Sequence, residues 1–437
     1  MLLAHGVGSR QDLPLPFSFT LVGAALALVV SFVALGTLWR EPRLGGERAG
    51  RPLPRLQRFV DAPATRAALR VLGVVVAAYV LLAAFLGPDL ATNPTAGVVY
   101  VLLWVGIVPL SLLLGPVWRL VNPLRGVHAA VAALLRIDRR HGVLDLPAGA
   151  GYWPAAAGLL AFTWMELVAP DRATLPVLRT AILLYAGLHL LAAVVWGSRW
   201  FDRGDAFEVW SDLVGRLAPL GRRADGTLVL RNPLDGMATL RPAPGLVAVV
   251  AVMLGSTGFD SLGSTPTWFR AVQSSDVPPV LAGTLGLLGV IAVVLAALVL
   301  CTRVAGAVGG GEVGPRRAPG EFAHTIVPIA VGYVVAHYYS LLVLEGQRTL
   351  VQLSDPLVQG SDWLGLGGRA VDSSLVTPSG VAALQVVAVV TGHVLGVVLA
   401  HDRAVRLFPR RAVAGQLPLL VLMVAYTVGG LLLLFAG

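Results

Sequence analysis

The sequence has no lysine, one cysteine and few charged residues. All 33 of its basic residues are therefore arginine, a bias typical of a high-GC bacterial genome. Because Cys301 has no second cysteine to pair with, an intrachain disulfide and a cysteine-based zinc or iron–sulfur site are excluded. Charged residues form only 13% of the 437 residues. That is too little polar surface to coat a soluble protein of this size.

Long apolar runs take the place of the missing charge. Hydrophobic residues make up 56% of the chain, and the mean hydropathy is +0.77. The first apolar run lacks the basic start of a cleavable signal peptide, so we expect it to remain as a span. Windows of about 20 residues, the length of a membrane-crossing helix, predict ten spans: 17–39, 69–87, 97–118, 151–168, 176–196, 244–260, 279–302, 322–344, 379–401 and 415–436. The sequence predicts an all-α, polytopic transmembrane helical bundle of about ten spans.

The arginines lie mostly in alternate connections between these spans. In a ten-span arrangement, 27 of the 33 fall on one side of the membrane. Since such residues are retained on the cytoplasmic side, both termini are predicted to lie outside, in a bacterial cytoplasmic membrane. The net charge of +9 is explained by this topology and forms no continuous stripe on a soluble domain. The expected partner is the lipid bilayer, and nucleic acid is not an expected partner.

The chain is predicted to be a single integral membrane domain, 1–437. A cytoplasmic loop at 197–243 contains the segment DAFEVWSDLVGRL, whose apolar spacing predicts an amphipathic helix on the membrane surface, and a short hairpin around Asn232 and Gly236. Residues 346–378 are predicted to form an extracytoplasmic cap loop. Neither loop reaches the usual size of a catalytic domain, so any chemistry is expected in or at the membrane.

Four ionisable residues form the candidate site, in the predicted outer half of the membrane. His337 and His393 fall in the eighth and ninth spans, Asp260 at the end of the sixth and Glu166 near the outer end of the fourth. Ionisable groups within a membrane are costly and therefore point to function. Because Gly, Ser, Thr and Pro surround Asp260, we expect the helix to unwind there, as is tolerated where backbone lines a cavity.

Other histidines have structural interpretations. His324 and His401 fall at the cytoplasmic ends of the same two spans, where contact with water or lipid headgroups is expected. His189 stands alone in the fifth span and is typical of a histidine that joins neighbouring helices. The same joining role is an open alternative for His337 and His393.

Several chemical uses fit the candidate site. Imidazole and carboxylate groups suit zinc, copper, iron or nickel, so His337, His393, Asp260 and Glu166 are candidate ligands of a divalent metal ion. In a hydrolase, Asp260 and His337 would be catalytic, with the metal activating water. A b-type haem is disfavoured, because the histidines of each span are 13 or 8 residues apart and do not share one helix face. A proton or cation relay in a transporter is a further use.

Five segments spread along the chain carry a family resemblance: LLAHGVGSRQDLPLPFSF, RNPLDG, STGFDSLGSTPTW, AHYYSLLV and GHVLGVVLAHDRAVRLFPRR. They resemble a group of multi-pass membrane proteins from high-GC actinobacteria, identified as fenitrothion hydrolase-like. The resemblance implies metal-assisted hydrolysis of an organophosphorus ester at the membrane. Since the chain has no lysine, a carbamylated lysine cannot bridge metals in such a site.

Three functional hypotheses remain open. In the first, the outer-half site binds a metal ion or small solute for transport or maturation. In the second, the same site is a metal-dependent hydrolase. In the third, the chain is a scaffold or assembly subunit with membrane-protein partners, and its buried polar residues only join helices.

Overall fold

The computed structural model describes residues 10–311 and 313–435. Two parts of the sequence analysis lie outside these ranges. They are the beginning of the first quoted segment, which includes His5, and the last residue of the predicted span 415–436. Helices dominate the described part. Those of eight or more residues are α1 Phe17–Leu38, α2 Pro54–Asp61, α3 Pro63–Leu86, α4 Thr95–Leu114, α5 Pro123–Leu135, α6 Trp153–Leu167, α7 Leu175–Trp196, α8 Ala206–Gly215, α9 Leu246–Gly263, α10 Pro266–Gln273, α11 Pro279–Gly309, α12 Ala318–Gln352, α13 Pro378–Leu407 and α14 Ala412–Leu434.

Nine of these helices are long and apolar enough to cross a membrane. Within the described ranges they are α1, α3, α4, α7, α9, α11, α12, α13 and α14. Helices suit such sequences because every backbone group in hydrocarbon must be bonded internally. Proline stands in the first turn of α3, α7, α11 and α13, where its missing N–H costs nothing. The predicted all-α polytopic bundle is confirmed, and the chain is a multi-pass membrane protein.

The predicted fourth span, 151–168, forms the shorter helix α6. Its 15 residues extend about 22 Å, which is less than the roughly 30 Å of bilayer hydrocarbon. The arginine pattern nevertheless predicts that the chain crosses the membrane between residues 140 and 175. The predicted position of both termini outside therefore depends on α6 as a tenth crossing, and it stays a prediction.

The single domain predicted for 1–437 divides into two compact units. The first unit takes the chain up to Ala49, the stretch Asn232–Ser340 and the chain from Val376 onward. It contains α1, α9, α10, α11, α12 as far as Ser340, α13 and α14. Tyr333 and Phe435 belong to one of its buried hydrophobic clusters, together with small residues of α12 and α13.

Glycines bring α12 and α13 of the first unit into close contact. A Cβ atom added to Gly332 would lie 2.5 Å from the carbonyl oxygen of Ala388, and one added to Gly392 would lie 2.5 Å from that of Pro328. Gly396, four residues after Gly392, is similarly close to α12. Small residues at this spacing let membrane helices pack backbone against backbone.

The second unit consists of Gly50–Arg231 and Leu341–Leu375. It contains α2 to α8 and the last part of α12. Three short antiparallel strands, β1 Arg51–Pro52, β2 Leu220–Arg222 and β3 Leu228–Leu230, form its sheet, with β3 in the middle. A group of aromatic rings fills its core: Trp104, Phe162, Phe207 and Trp210.

The loop predicted at 197–243 contains a helix and a hairpin, but in different settings. The helix is α8, and nine of its ten residues are buried, so the predicted position on the membrane surface is wrong. Its apolar side chains pack into the second unit instead of into lipid. The hairpin is formed by β2 and β3, ahead of Asn232. Pro233–Met237 forms a short helix, because Asn232 caps it and proline suits its first position.

The predicted cap loop, 346–378, is shorter than expected. Helix α12 continues to Gln352, and α13 begins at Pro378. Between them the chain forms turns in which Asp355 accepts hydrogen bonds from the backbone N–H groups of Gln359 and Gly360. These bonds satisfy backbone N–H groups that have no hydrogen-bond partner within a helix or strand.

Candidate functional site

Asp260 of α9 and His337 of α12 are in direct contact. The Oδ2 atom of Asp260 lies 2.9 Å from Nε2 of His337. The hydroxyl of Tyr338 donates to the same oxygen at 2.7 Å. A carboxylate oxygen can accept two such bonds because it has two lone pairs. The structure thus brings together two of the predicted site residues and adds Tyr338.

Two more hydroxyl groups extend this contact. Tyr333 donates to the Oγ of Ser261 at 2.7 Å, and that Oγ lies 3.3 Å from Nδ1 of His337. When His337 is neutral with its proton on Nε2, each group donates a hydrogen bond to the next: Tyr333 to Ser261, Ser261 to His337 and His337 to Asp260. We call these five side chains the Asp260 network: Tyr333, Ser261, His337, Asp260 and Tyr338.

Helical spacing explains how two helices suffice to build the Asp260 network. Tyr333 and His337 are four residues apart on α12 and therefore share one face of the helix. Their rings are stacked, with centres 6.3 Å apart and planes 14° apart. Asp260 and Ser261 are consecutive on α9. They contact the two different nitrogens of the same imidazole ring.

The expected unwinding of the helix near Asp260 is wrong. Helix α9 continues without a break to Gly263. The hydroxyls of Ser256 and Thr257 donate to the carbonyl of Met253, so these polar side chains are satisfied within the helix. Gly255 packs closely against Ile291 of α11. The small and polar residues therefore serve helix packing, and the backbone at Asp260 is helical.

The Asp260 network is largely shielded from solvent. His337 is 6% exposed and Ser261 is 3% exposed, whereas the Asp260 side chain is 12% exposed. A buried carboxylate is costly unless hydrogen bonds or a positive charge compensate it, and the two donors to Oδ2 provide such compensation. Asp260 is the member of the pair closer to the protein surface.

The other predicted site residue of the first unit, His393, bonds within its own helix. Nδ1 of His393 bonds to the carbonyl of Val389, one turn earlier on α13, at 2.8 Å. Its Nε2 is buried and has no hydrogen-bond partner in the described structure. Glu166 lies in the last turn of α6 and belongs to the second unit.

The predicted metal site has two of its four ligands in contact. Across residues 10–311 and 313–435, no three His, Cys, Asp or Glu side chains are grouped so that they could hold a metal ion. Asp260 and His337 alone supply one carboxylate and one imidazole, and first-row metals usually take four or more donors. Metal binding by the predicted residues stays a prediction.

His324 and His401 are buried, so their predicted contact with water or headgroups is wrong. Their relative exposures are 4% and 1%. The helices continue past the ends of the apolar windows: α12 begins at Ala318 and α13 ends at Leu407. His401 consequently lies inside the first unit, where Nε2 is 2.8 Å from the carbonyl of Trp39.

His189 has the joining role that its isolated position predicts. The indole N–H of Trp200 donates to Nδ1 of His189 at 2.8 Å, and Tyr185 packs edge-on against the same imidazole. The contact connects α7 to the short helix Phe201–Gly204 and its flanking residues.

A second buried polar cluster lies in the second unit, where the sequence predicts only a loop. Arg125 donates to both carboxylate oxygens of Glu208 and to Asp202. The side-chain amide of Asn122 donates to Asp205 at 2.8 Å and to Glu208 at 3.2 Å. Arg125, Glu208, Asp205 and Asn122 are all buried. We call the side chains of these four residues, together with that of Asp202, the Arg125 network.

Hydrogen bonds from several donors hold the acids of the Arg125 network. Asp205 caps α8 by accepting from the backbone N–H groups of Phe207 and Glu208, and Tyr185 also donates to it at 2.6 Å. Burial raises the pKa of the Glu208 carboxyl, although Arg125 acts in the opposite direction. The sequence signal for this cluster is an acid at a helix start with a second acid three residues later. The cluster holds α5 and α8 together.

Comparisons with protein-family models, curated proteins and solved structures give no match to this chain. The Asp260 and Arg125 networks are therefore interpreted from their own geometry, as parts of a multi-pass membrane protein.

Proposed function

We propose that this protein moves a small solute across a bacterial cytoplasmic membrane and couples that movement to protons at Asp260 and His337. The observation that carries the proposal is the continuous series of hydrogen bonds in the Asp260 network, within two candidate membrane spans. Buried acid and imidazole groups in such spans are typical of proton relays.

In the proposed mechanism, the Asp260 network alternates between two proton states. With neutral His337, Nδ1 accepts from Ser261 and Nε2 donates to Asp260. When His337 takes up a proton, Nδ1 becomes a donor, so the bond to Ser261 must reverse, and the pair with Asp260 becomes a salt bridge. One proton therefore changes both the net charge of the site and the hydrogen bonding between α9 and α12, which is the coupling that proton-driven transport needs.

The position of Asp260 favours access from the outer side. It lies three residues before the end of α9, and the arginine pattern assigns that end to the side opposite the cytoplasm. Small solutes and metal ions are both compatible with a carboxylate at this position.

Infrared difference spectroscopy on the full chain in nanodiscs tests the protonation step. Between acidic and alkaline buffer, we expect a shift of the carboxylate stretching bands in the wild type, as the His337 salt bridge forms, and this shift is lost in Asp260→Asn. Tyr426→Phe is the control, because the Tyr426 hydroxyl donates to a backbone carbonyl, that of Val294, and to no carboxylate in the described structure. A spectrum unchanged by Asp260→Asn would contradict the proposal.

Proton uptake into proteoliposomes tests the proposed proton coupling. A potassium diffusion potential should drive proton uptake that a trapped pH-sensitive dye reports. Uptake should be lost in Asp260→Asn and retained in Tyr426→Phe. Equal uptake in the wild type, in Asp260→Asn and in protein-free liposomes would argue against proton coupling.

One further observation favours hydrolysis as a second candidate function. Ser261, His337 and Asp260 follow one another in the order hydroxyl, imidazole, carboxylate, at 3.3 Å and 2.9 Å. In this order an imidazole can take the hydroxyl proton while the carboxylate orients the ring. The resemblance to fenitrothion hydrolase-like proteins implies an organophosphorus ester as the substrate.

A fluorescent fluorophosphonate tests this second candidate, because it labels an activated serine covalently. Labelling should disappear in Ser261→Ala and persist in Ser256→Ala, a buried serine of the same helix whose hydroxyl bonds Met253. Loss of ester turnover on addition of a chelator would instead support the metal-dependent hydrolase. Absence of both labelling and turnover would leave proton-coupled transport as the better interpretation.

A further inference from the structure

Helix α2 has one face attached to the sheet of the second unit and one face that is open. On the attached face, the side-chain oxygen of Gln57 accepts from the backbone N–H of Leu228 at 3.0 Å. Asp61 accepts two hydrogen bonds from Arg222, at 2.6 Å and 3.0 Å. These contacts fix the rotation of α2 about its own axis.

The open face combines two arginines with two large apolar side chains. At 100° per residue, Arg58, Arg55, Phe59 and Leu56 follow one another around the side of α2 opposite Gln57. Phe59 is 66% exposed and Leu56 is 38% exposed. Arg55 and Arg58 are exposed as well and have no hydrogen-bond or ion-pair partner in the described structure.

The chain places this face beside a membrane span. Ala62 is extended (ψ 133°), because Pro63 disfavours helical backbone in the residue before it. The chain therefore changes direction between α2 and α3, and the span α3 begins immediately after this break. Arg51, exposed on the same segment, adds positive charge, whereas Arg66 is paired with Asp61 at 2.7 Å.

We propose that this face of α2, formed by Arg55, Leu56, Arg58 and Phe59, binds anionic phospholipid of the cytoplasmic leaflet. A short helix with exposed apolar and basic side chains at the end of a span has the composition of helices that lie in the membrane interface. The arginines pair with headgroup phosphates, and Phe59 and Leu56 enter the acyl boundary. The surface charge of an anionic leaflet attracts such arginines over about one Debye length.

A single fluorophore on the full chain reports this binding. Cys301 is the one cysteine of the chain, so Cys301→Ala gives a background for labelling Ala64→Cys, an exposed position in the first turn of α3. Short-chain phosphatidylglycerol is titrated into the detergent-purified protein, with phosphatidylcholine and inorganic phosphate as separate arms. We expect a saturable response to phosphatidylglycerol alone.

The variant Arg55→Gln/Arg58→Gln should weaken phosphatidylglycerol binding on the order of tenfold or more, since each arginine near a headgroup contributes about fivefold. Phe59→Ser should weaken it as well. Arg316→Gln/Arg317→Gln is the matched control, because it removes two exposed arginines from another connection on the arginine-rich side. Equal responses to both lipids, a response to phosphate alone, or an equal loss in the control variant would each overturn the proposal.

Discussion

His337 and Tyr338 are consecutive residues of one helix, and both contact the Oδ2 atom of Asp260 on another. Residues next to each other on a helix point about 100° apart, so Asp260 lies between the two directions. This arrangement makes the Asp260 carboxylate the common acceptor of the site.

Tyr338→Phe should destabilise the protein more than Tyr426→Phe does. The first change removes a donor to a carboxylate, a bond worth about 1.5–3 kcal/mol, whereas a bond to a neutral carbonyl is worth about 0.5–1.5 kcal/mol. Thermal unfolding in one detergent compares the two variants directly. Equal losses would mean that Asp260 is protonated under the conditions used.

Arg125→Gln should be strongly destabilising, by about 3–5 kcal/mol, because it leaves the buried Glu208 carboxylate without its guanidinium. The double variant Arg125→Gln/Glu208→Gln should recover part of this loss, since it removes the uncompensated charge. Chemical unfolding of the four proteins of this double-mutant cycle measures the coupling. Purely additive losses would show that the pair does not act together.

Gly392→Ala should disrupt the contact between α12 and α13, at a cost of about 1–3 kcal/mol. Its new methyl group would meet the carbonyl oxygen of Pro328 at 2.5 Å, and backbone cannot move aside as a flexible side chain can. Gly289→Ala is the control, because no atom lies within 4 Å of the position its methyl group would take. Similar melting temperatures for both variants would contradict the close packing.

The ion pair between Asp61 and Arg222 should give a pH-dependent contribution to stability. Hydrogen bonding to Arg222 lowers the pKa of Asp61 from 3.8 to about 2, against the effect of burial. A lowered folded-state pKa means that the contribution is present above 3.8 and is lost as the pH falls toward 2. The side chain is partly exposed, so the contribution is below about 1 kcal/mol.

Asp61→Asn tests this pH dependence. The variant should melt slightly below the wild type at neutral pH, and the difference should shrink below pH 3.8. A difference that stays constant over this range would assign the effect of the substitution to packing and not to charge.

The length of the apolar runs predicts the helices of this protein well. In lipid every backbone N–H and C=O group needs a hydrogen-bond partner, and a helix supplies these partners within a single segment. Run length does not locate their ends. The window over 379–401 stops at the first charges, yet α13 continues through Asp402, whose carboxylate accepts from the backbone N–H groups of Arg43 and Leu44. Tertiary partners of this kind cannot be seen in a local window.

Asp260 and His337 were predicted together from the cost of burying ionisable groups, and they are in contact. Ser261, Tyr333 and Tyr338 were not predicted, because hydroxyl groups are inexpensive to bury and give a weak signal in sequence. The Arg125 network was missed for another reason. Its acids lie in a connection rich in charge, and nothing local shows that Asp205 and Glu208 are buried.

The interlocking of α12 and α13 through Gly332, Gly392 and Gly396 has a mechanical consequence. Sliding one of these helices along the other would drive backbone into backbone, so the two behave as a rigid body. His337 is carried by that body, and Asp260 is carried by α9. A conformational change that separates Asp260 from His337 is therefore a movement of α9 relative to α12 and α13 together. Cross-links between α12 and α13 should leave that movement possible.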